Sequence, residues 1–329
     1  MSAALLVRTL REPTGVAGLD AAGWNALIAA AKAERLIGTL ACRLDGIAIP
    51  PAVRPILDDA RRDSAREAQQ ALWEADRAAL ALAPLGLRVV LLKGTAYAAA
   101  DLQAGQGRFI GDLDILVPRE AMGAVEQALI GAGWEWVKED AYDDAYYRQW
   151  MHELPPLIHI ERDRLIDVHH TVLPLTARQT PDAAAMIADA VPITDGLYIL
   201  SAEDRVVHAA AHMLADGDLQ GGLRNLWDIY CLLPETDRAA LKARAAHHGL
   251  ARHVAQARRL ADALYGHGAR LTLWDRLVRA RLLARDGWGQ ETRKLLVFAF
   301  YVRSHWLRMP PLMLARHLWT KWRKGHRPQ

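Results

Sequence analysis

The sequence predicts an α+β fold: a small mixed β-sheet core flanked by an N-terminal helical segment and a C-terminal helical bundle. Three observations predict it. Alanine-rich runs with helical spacing fill both ends of the 329-residue chain. Short apolar or alternating runs bounded by Gly and Pro lie between residues 87 and 170. Within that stretch, strand-like and helix-like patterns alternate, as they do where helices pack on a sheet.

Residues 19–46 read as one helix, with Trp24, Leu27, Ile28, Ala31 and Leu36 at helical spacing. Pro50 and Pro51 break it, and a second long helix covers about 52–83 until Pro84 and Gly86 end it. Leu87–Leu92 is a short apolar run with β-branched residues, expected as a buried strand. Lys93-Gly94-Thr95 follows, then a short helix, Ala96–Leu102, and a turn at Gly105–Gly107. The next strand runs through Asp112–Val117. Pro118 stops it and opens a helix over about 119–132, with Gly133 as its C′ residue. Trp134–Val137 starts a third strand, and Glu139–Asp144 reads as a solvated acidic loop. Leu157–Glu161 and Arg164–His170 flank Arg162-Asp163 as a hairpin. From 176 onward the pattern is helical, over about 177–189, 202–215, 221–233, 236–248, 250–265, 270–285 and 289–304, with a last amphipathic stretch at 311–323. The expected divisions are 1–84, 85–175 and 176–329.

Composition bounds the function. Hydrophobic content of 52% and charged content of 24% are globular values. A formal charge of +3 is too small to argue for nucleic acid as a partner. Cys42 and Cys231 are far apart and lack metal-ligand spacing, which fits a reduced, cytoplasmic compartment and not a disulfide framework. Residues 1–13 lack the apolar core and cleavage site of a secretory signal, and no charge-free apolar run is long enough for a transmembrane helix.

The chemistry centres on Asp112 and Asp114. Strand alternation sends Leu113 and Ile115 one way and both aspartates the other, with Cα atoms roughly 7 Å apart, within reach of one divalent cation. Mg²⁺ takes oxygen ligands and keeps several waters, so one or two carboxylates plus substrate phosphates suit it. Lys93-Gly94-Thr95 reads either as an ordinary turn with Thr95 capping the helix or as an anion cradle. In the second reading Gly94 admits a phosphate, Thr95 offers a hydroxyl and Lys93 a cation. Asp167 shares a strand face with His169. It is either a surface acid or a third carboxylate of the metal site, placed to act as general base. His208 and His212 share a helix face without the third ligand of a zinc site, and Arg224 and Asp228 sit one turn apart. After Glu291 the chain has nine Lys/Arg and no acid. That end is either a solvated amphipathic helix or a surface for an acidic partner or an anionic lipid headgroup.

The order Lys-Gly-Thr, then Asp-x-Asp on the next strand, then a single Asp on a later strand resembles the DNA polymerase β-like nucleotidyltransferase superfamily. Lys93-Gly94, the strand Arg108–Val117 and Asp167-Val-His-His170 resemble more closely the bacterial family of uncharacterised nucleotidyltransferases. The segments Ala202–His212 and Leu223–Ile229 look like that family's helical half, so the resemblance extends over about residues 20–310. It implies that Asp112, Asp114 and Asp167 are the catalytic, metal-holding acids for two Mg²⁺ ions, with Mn²⁺ an equivalent. It further implies that Gly94 and Thr95 hold the β- and γ-phosphates of an NTP, ATP or GTP. Lys93 and Arg108 would neutralise its charge, and His169, His212 and Arg224 would line the nucleotide site. Thr95 stands where the superfamily has serine, keeping the hydroxyl. The implied reaction moves a nucleoside monophosphate to a hydroxyl or phosphate of an unidentified small molecule, peptide or protein, releasing pyrophosphate. Two other readings stay open: a non-catalytic nucleotide-binding module, and a toxin-type enzyme acting on tRNA or protein.

Overall fold

The computed structural model describes residues 2–137, 141–194 and 196–308. The chain opens with helices α1 (Ser2–Arg11), α2 (Ala21–Ala33), α3 (Ile37–Arg43) and α4 (Arg54–Leu82). There follow β1 (Val89–Leu91), α5 (Lys93–Ala99), β2 (Asp112–Leu116), α6 (Met122–Gly131), β3 (Trp134–Trp136) and α7 (Ala141–Trp150). Next come β4 (Leu157–His159), β5 (Leu165–His169), α8 (Ala183–Ala188), β6 (Val191–Thr194) and β7 (Leu197–Ile199). Helices α9 (Ala202–Ala211), α10 (Gly222–Leu232), α11 (Arg238–His247), α12 (Ala251–Tyr265), α13 (Leu273–Leu282) and α14 (Lys294–Arg308) complete it. The architecture is the predicted α+β one, with a mixed sheet between helical ends.

The seven strands lie in the order β3-β4-β5-β2-β1-β7-β6. β2–β5 and β1–β7 are parallel, and the other neighbours are antiparallel. β1 is buried along its whole length, and Leu113, Ile115 and Leu116 of β2 join the same core. The hairpin forms, but its loop is residues 160–163 and not Arg162-Asp163 alone, because His159 N–H reaches Arg164 C=O; Asp163 sits at φ 52°. Its tip is fastened to α4: Arg162 donates to both carboxylate oxygens of Glu74, at 2.7 and 2.9 Å. The same guanidinium lies 5.3 Å from the Trp73 ring and 4.7 Å from the Trp134 ring. This bidentate, stacked arginine fixes the strand that carries Asp167.

Four expectations need correction. The helix expected over 19–46 is two helices, because α2 closes on a left-handed residue, Arg35 at φ 54°. Leu36 N–H reaches back to Ala31 C=O and Arg35 N–H to Lys32 C=O, the Schellman pattern that usually takes glycine. Residues 141–144 belong to α7 and not to a loop, while Glu139 and Asp140 lie outside the described residues, as does the stretch 311–323. The segment after 176 is not wholly helical: α8 is short, and β6 and β7 extend the sheet well past 170. Val191-Pro-Ile-Thr and Leu197-Tyr-Ile are too short to show alternation, and β7 gains its place by parallel pairing with distant β1. Pro192 sits on β6, an edge strand, where a missing N–H is tolerated. Finally, residues 2–11 form a helix that the sequence reading left unassigned.

Candidate active site

β2 and β5 run side by side in parallel register, Asp112 opposite Leu165, Asp114 opposite Asp167 and Leu116 opposite His169. Residues opposite each other in register point to the same face of the sheet. The alternation that buries Leu113 and Ile115 in the core therefore gathers Asp112, Asp114 and Asp167 on the other face. One carboxylate oxygen from each of the three lies within 4.8 Å of the other two. Asp114 is buried, Asp167 half-buried and Asp112 exposed, so the cluster opens outward at Asp112.

Asp114 is held tightly. Lys93 Nζ donates to its Oδ1 at 2.6 Å, and His169 Nε2 lies 3.0 Å from the same oxygen. Burial opposes the ionisation of Asp114, but the Lys93 ammonium and His169 outweigh it and keep the carboxyl well below the usual range. Burial likewise works against the charge on Lys93, and Asp114 outweighs it, raising the Lys93 pKa above its ordinary value. Lys93 begins α5 in the left-handed region, at φ 46°, a costly conformation for a non-glycine residue. Asp167 is different: burial, followed by the charges of Asp114 and Glu153, pushes it up to about 7.

The turn after β1 is built otherwise than its sequence suggests. Leu92, not Thr95, is the N-cap of α5, and Thr95 is buried with its hydroxyl unpartnered. A Cβ on Gly94 would come within 2.8 Å of Arg108 Nε, so the missing side chain makes room for that arginine. Arg108 pairs with Asp228 and lies 5.8 Å from the Tyr97 ring. These contacts tie the segment before β2 to α5 and α10.

Arg224, expected at the nucleotide site, already has protein partners. It is buried, pairs with Asp228, donates to Thr39 Oγ1 at 2.6 Å and reaches the Ala104 carbonyl at 3.4 Å. This single guanidinium joins the N-terminal helices, the sheet region and the C-terminal helices. His212 opens a π-helical turn, His212–Asp216, that continues α9. With Lys93, Tyr97, Arg108, His208, Asn225 and Asp228 it lines a cavity of about 20 Å³, room for one water. Burial and then the Lys93 charge keep both His208 and His212 neutral, with His208 brought down to about 3. The roomier cavities, of about 540, 750 and 430 Å³, include none of the three acids.

A family model described as "uncharacterised nucleotidyltransferase" matches residues 20–266. The chain belongs to that family. No curated protein matches this nucleotidyltransferase. Among solved structures, a solution structure of the antibiotic-resistance factor ANT(2'')-Ia is 14% identical, with a TM-score of 0.38, over 57% of this chain and 95% of that one. A crystal structure of ANT(2'')-Ia with adenylyl-2''-tobramycin is 13% identical, with a TM-score of 0.37, over 54% and 97%. Likeness at this level says nothing about the acceptor here.

Nucleotidyltransferases of this kind imply a divalent cation, and the donor set fits one. Three carboxylates supply hard oxygen ligands, and the burial and then the mutual repulsion that raise Asp167 are what a bound cation would offset. Two neighbours were not assigned from the sequence. Glu153 Oε2 lies 3.4 Å from His169 Nδ1 and 3.6 Å from His152 Nε2, and the His152 and His169 rings stack at 5.1 Å. Glu153 reaches β5 through one isolated bridge to His169, from a segment with no strand pattern of its own. Nothing in the local sequence signals that contact.

Proposed function

We propose that this nucleotidyltransferase moves a nucleoside monophosphate from an NTP to a hydroxyl or phosphate of an acceptor, with Asp112, Asp114 and Asp167 holding Mg²⁺. The observation that carries the reading is the parallel register of β2 and β5, which sets Asp114 beside Asp167 and brings the three acids within 4.8 Å. A bond forms from the acceptor oxygen to the α-phosphorus, the bond from that phosphorus to the bridging oxygen breaks, releasing pyrophosphate, and Asp167 is placed to take the proton of a hydroxyl acceptor. A divalent cation bound there would offset the charge on the attacking and leaving oxygens. Lys93 supplies a fixed positive charge beside the acids, suited to the phosphates of the leaving group. His169, backed by Glu153, shares Asp114 Oδ1 with Lys93 and so orients that carboxylate. The Thr95 hydroxyl, buried and unpartnered, is a donor in reserve at the start of α5.

The test follows α-phosphate label from each NTP into fractions of a cell extract. The wild type should transfer label, and the Asp112→Asn/Asp114→Asn double variant should transfer at least about 10³-fold less while keeping its far-UV spectrum. Undiminished transfer by the double variant would sink the proposal. A nucleotide-binding module without turnover is the second reading. The Lys93–Asp114 ion pair favours it, because the ammonium already satisfies one ligand oxygen. NTP binding with no label transfer into any fraction would select it.

A further inference from the structure

Beside the three acids lies a second set of donors that the transfer reaction does not use as ligands. His152, Glu153 and His169 each place one ligand atom within 4.8 Å of the other two. His169 belongs to β5, and the segment 152–154 is pinned alongside that strand. His170 N–H reaches His152 C=O and Leu154 N–H reaches Val168 C=O, both at 2.9 Å, around the bridge between Glu153 and His169. Backbone hydrogen bonds thus hold all three residues in place before a ligand arrives. The side chains of His152 and Glu153 are 14% and 17% exposed and that of His169 is 3% exposed, so the set is open on the side of the first two.

The spacings within the set decide what it suits. Glu153 Oε2 lies 3.4 Å from His169 Nδ1 and 3.6 Å from His152 Nε2. Both exceed a normal N–H···O hydrogen bond, roughly 2.7–3.2 Å between heavy atoms. Both are close to the separation of two ligands on a tetrahedral Zn²⁺, about 3.3–3.4 Å for bonds of about 2.0–2.1 Å. The two rings stack at 5.1 Å with these nitrogens turned to the same Glu153 oxygen. On the other side of the His152 ring, Nδ1 is buried without a partner, so hydrogen bonding does not account for where this ring sits. His169 Nε2 lies 3.0 Å from Asp114 Oδ1. A neutral imidazole carries one proton; with it on Nε2 for Asp114, Nδ1 keeps the lone pair that a metal needs. That is the carboxylate–histidine–metal arrangement common at zinc sites. Two imidazoles and one carboxylate suit Zn²⁺ with a fourth position open, whereas carboxylates alone suit Mg²⁺ and Mn²⁺. We infer that His152 Nε2, Glu153 Oε2 and His169 Nδ1 form a Zn²⁺ site, separate from the carboxylate cluster and joined to it through the His169–Asp114 contact. The inference does not rest on the proposed transfer reaction.

Equilibrium dialysis of the chelator-stripped full chain against Zn²⁺, in excess Mg²⁺, tests it. The wild type should take up Zn²⁺. His152→Ala and Glu153→Gln should each weaken that binding by more than about 100-fold, beyond the loss expected for an outer partner of a ligand. Asp112→Asn/Asp167→Asn, which disarms the carboxylate cluster, should keep it within about tenfold of the wild type. No uptake by the wild type overturns the inference, as does uptake that both single variants keep in full. Uptake lost in Asp112→Asn/Asp167→Asn but kept in His152→Ala would place the ion among the three acids, and that also overturns it. X-ray absorption of the zinc-loaded wild type needs no substitution, and it decides the matter if the single variants fail to fold. Two imidazoles bound to the ion are expected there, and fewer than two would overturn the inference.

Discussion

Asp204 and Asp167 are both acids withdrawn from water, yet their surroundings differ in sign. Asp204, on α9, is fully buried and completely paired: Arg244 donates to its two oxygens at 2.7 and 2.6 Å, and His248 Nε2 lies 3.1 Å away. Burial opposes its ionisation, but His248 and Arg244 prevail and lower its pKa. For Asp167, on β5, burial and then the charges of Asp114 and Glu153 prevail over the opposing pull of His169, and its pKa rises. The difference teaches that a buried charge alone does not mark a site. A buried charge balanced by the protein's own groups is structure, whereas one left in excess is chemistry awaiting a ligand.

The structural end of this contrast breaks most visibly at Asp204. Asp204→Ala leaves Arg244 and His248 facing an apolar gap and should cost about 3–5 kcal/mol in urea unfolding. A cost below about 1 kcal/mol would show that the cluster is not balanced as described. Label transfer per folded molecule should not change.

The base His208 sharpens the contrast with pH. Its folded pKa is lowered from 6.5 to about 3, so the folded protein keeps it neutral where the unfolded chain takes up a proton. Its contribution is fully present above 6.5 and drains away as pH falls toward about 3. By about pH 5 the loss should reach about 2 kcal/mol. His208→Gln should flatten that limb of the stability profile, and an unchanged slope would contradict the burial argument.

The smallest effect belongs to Thr95. Its hydroxyl has no partner, so Thr95→Val should alter stability by less than about 0.5 kcal/mol. If the hydroxyl serves the NTP, the same change should weaken NTP binding by up to about tenfold. Unchanged binding would remove Thr95 from the site.

Much of this contrast was legible in the sequence. The alternation Asp112-Leu-Asp-Ile115 placed two acids on one strand face, and Ile166-Asp-Val168 did the same for the third. Gly94 beside Lys93 marked a tight turn, and Arg108 packs where a side chain at 94 would stand. What was not legible depended on long-range contact. The register that sets Asp167 beside Asp114 joins strands some fifty residues apart. Glu153 arrives from an irregular segment, and Arg224 could point toward either side of its helix until Thr39 and Ala104 were seen beside it. β6 and β7 were missed because strands of three or four residues carry too little pattern to oppose a helical background.

The excess of carboxylate charge on β2 and β5 is the central claim, and Mn²⁺ binding measured by paramagnetic resonance, with and without NTP, tests it most directly. The wild type should bind Mn²⁺, more tightly with NTP present. Asp167→Asn should bind more weakly, and Asp112→Asn/Asp114→Asn should not bind above background. Equal Mn²⁺ binding by the wild type and the double variant would contradict the account.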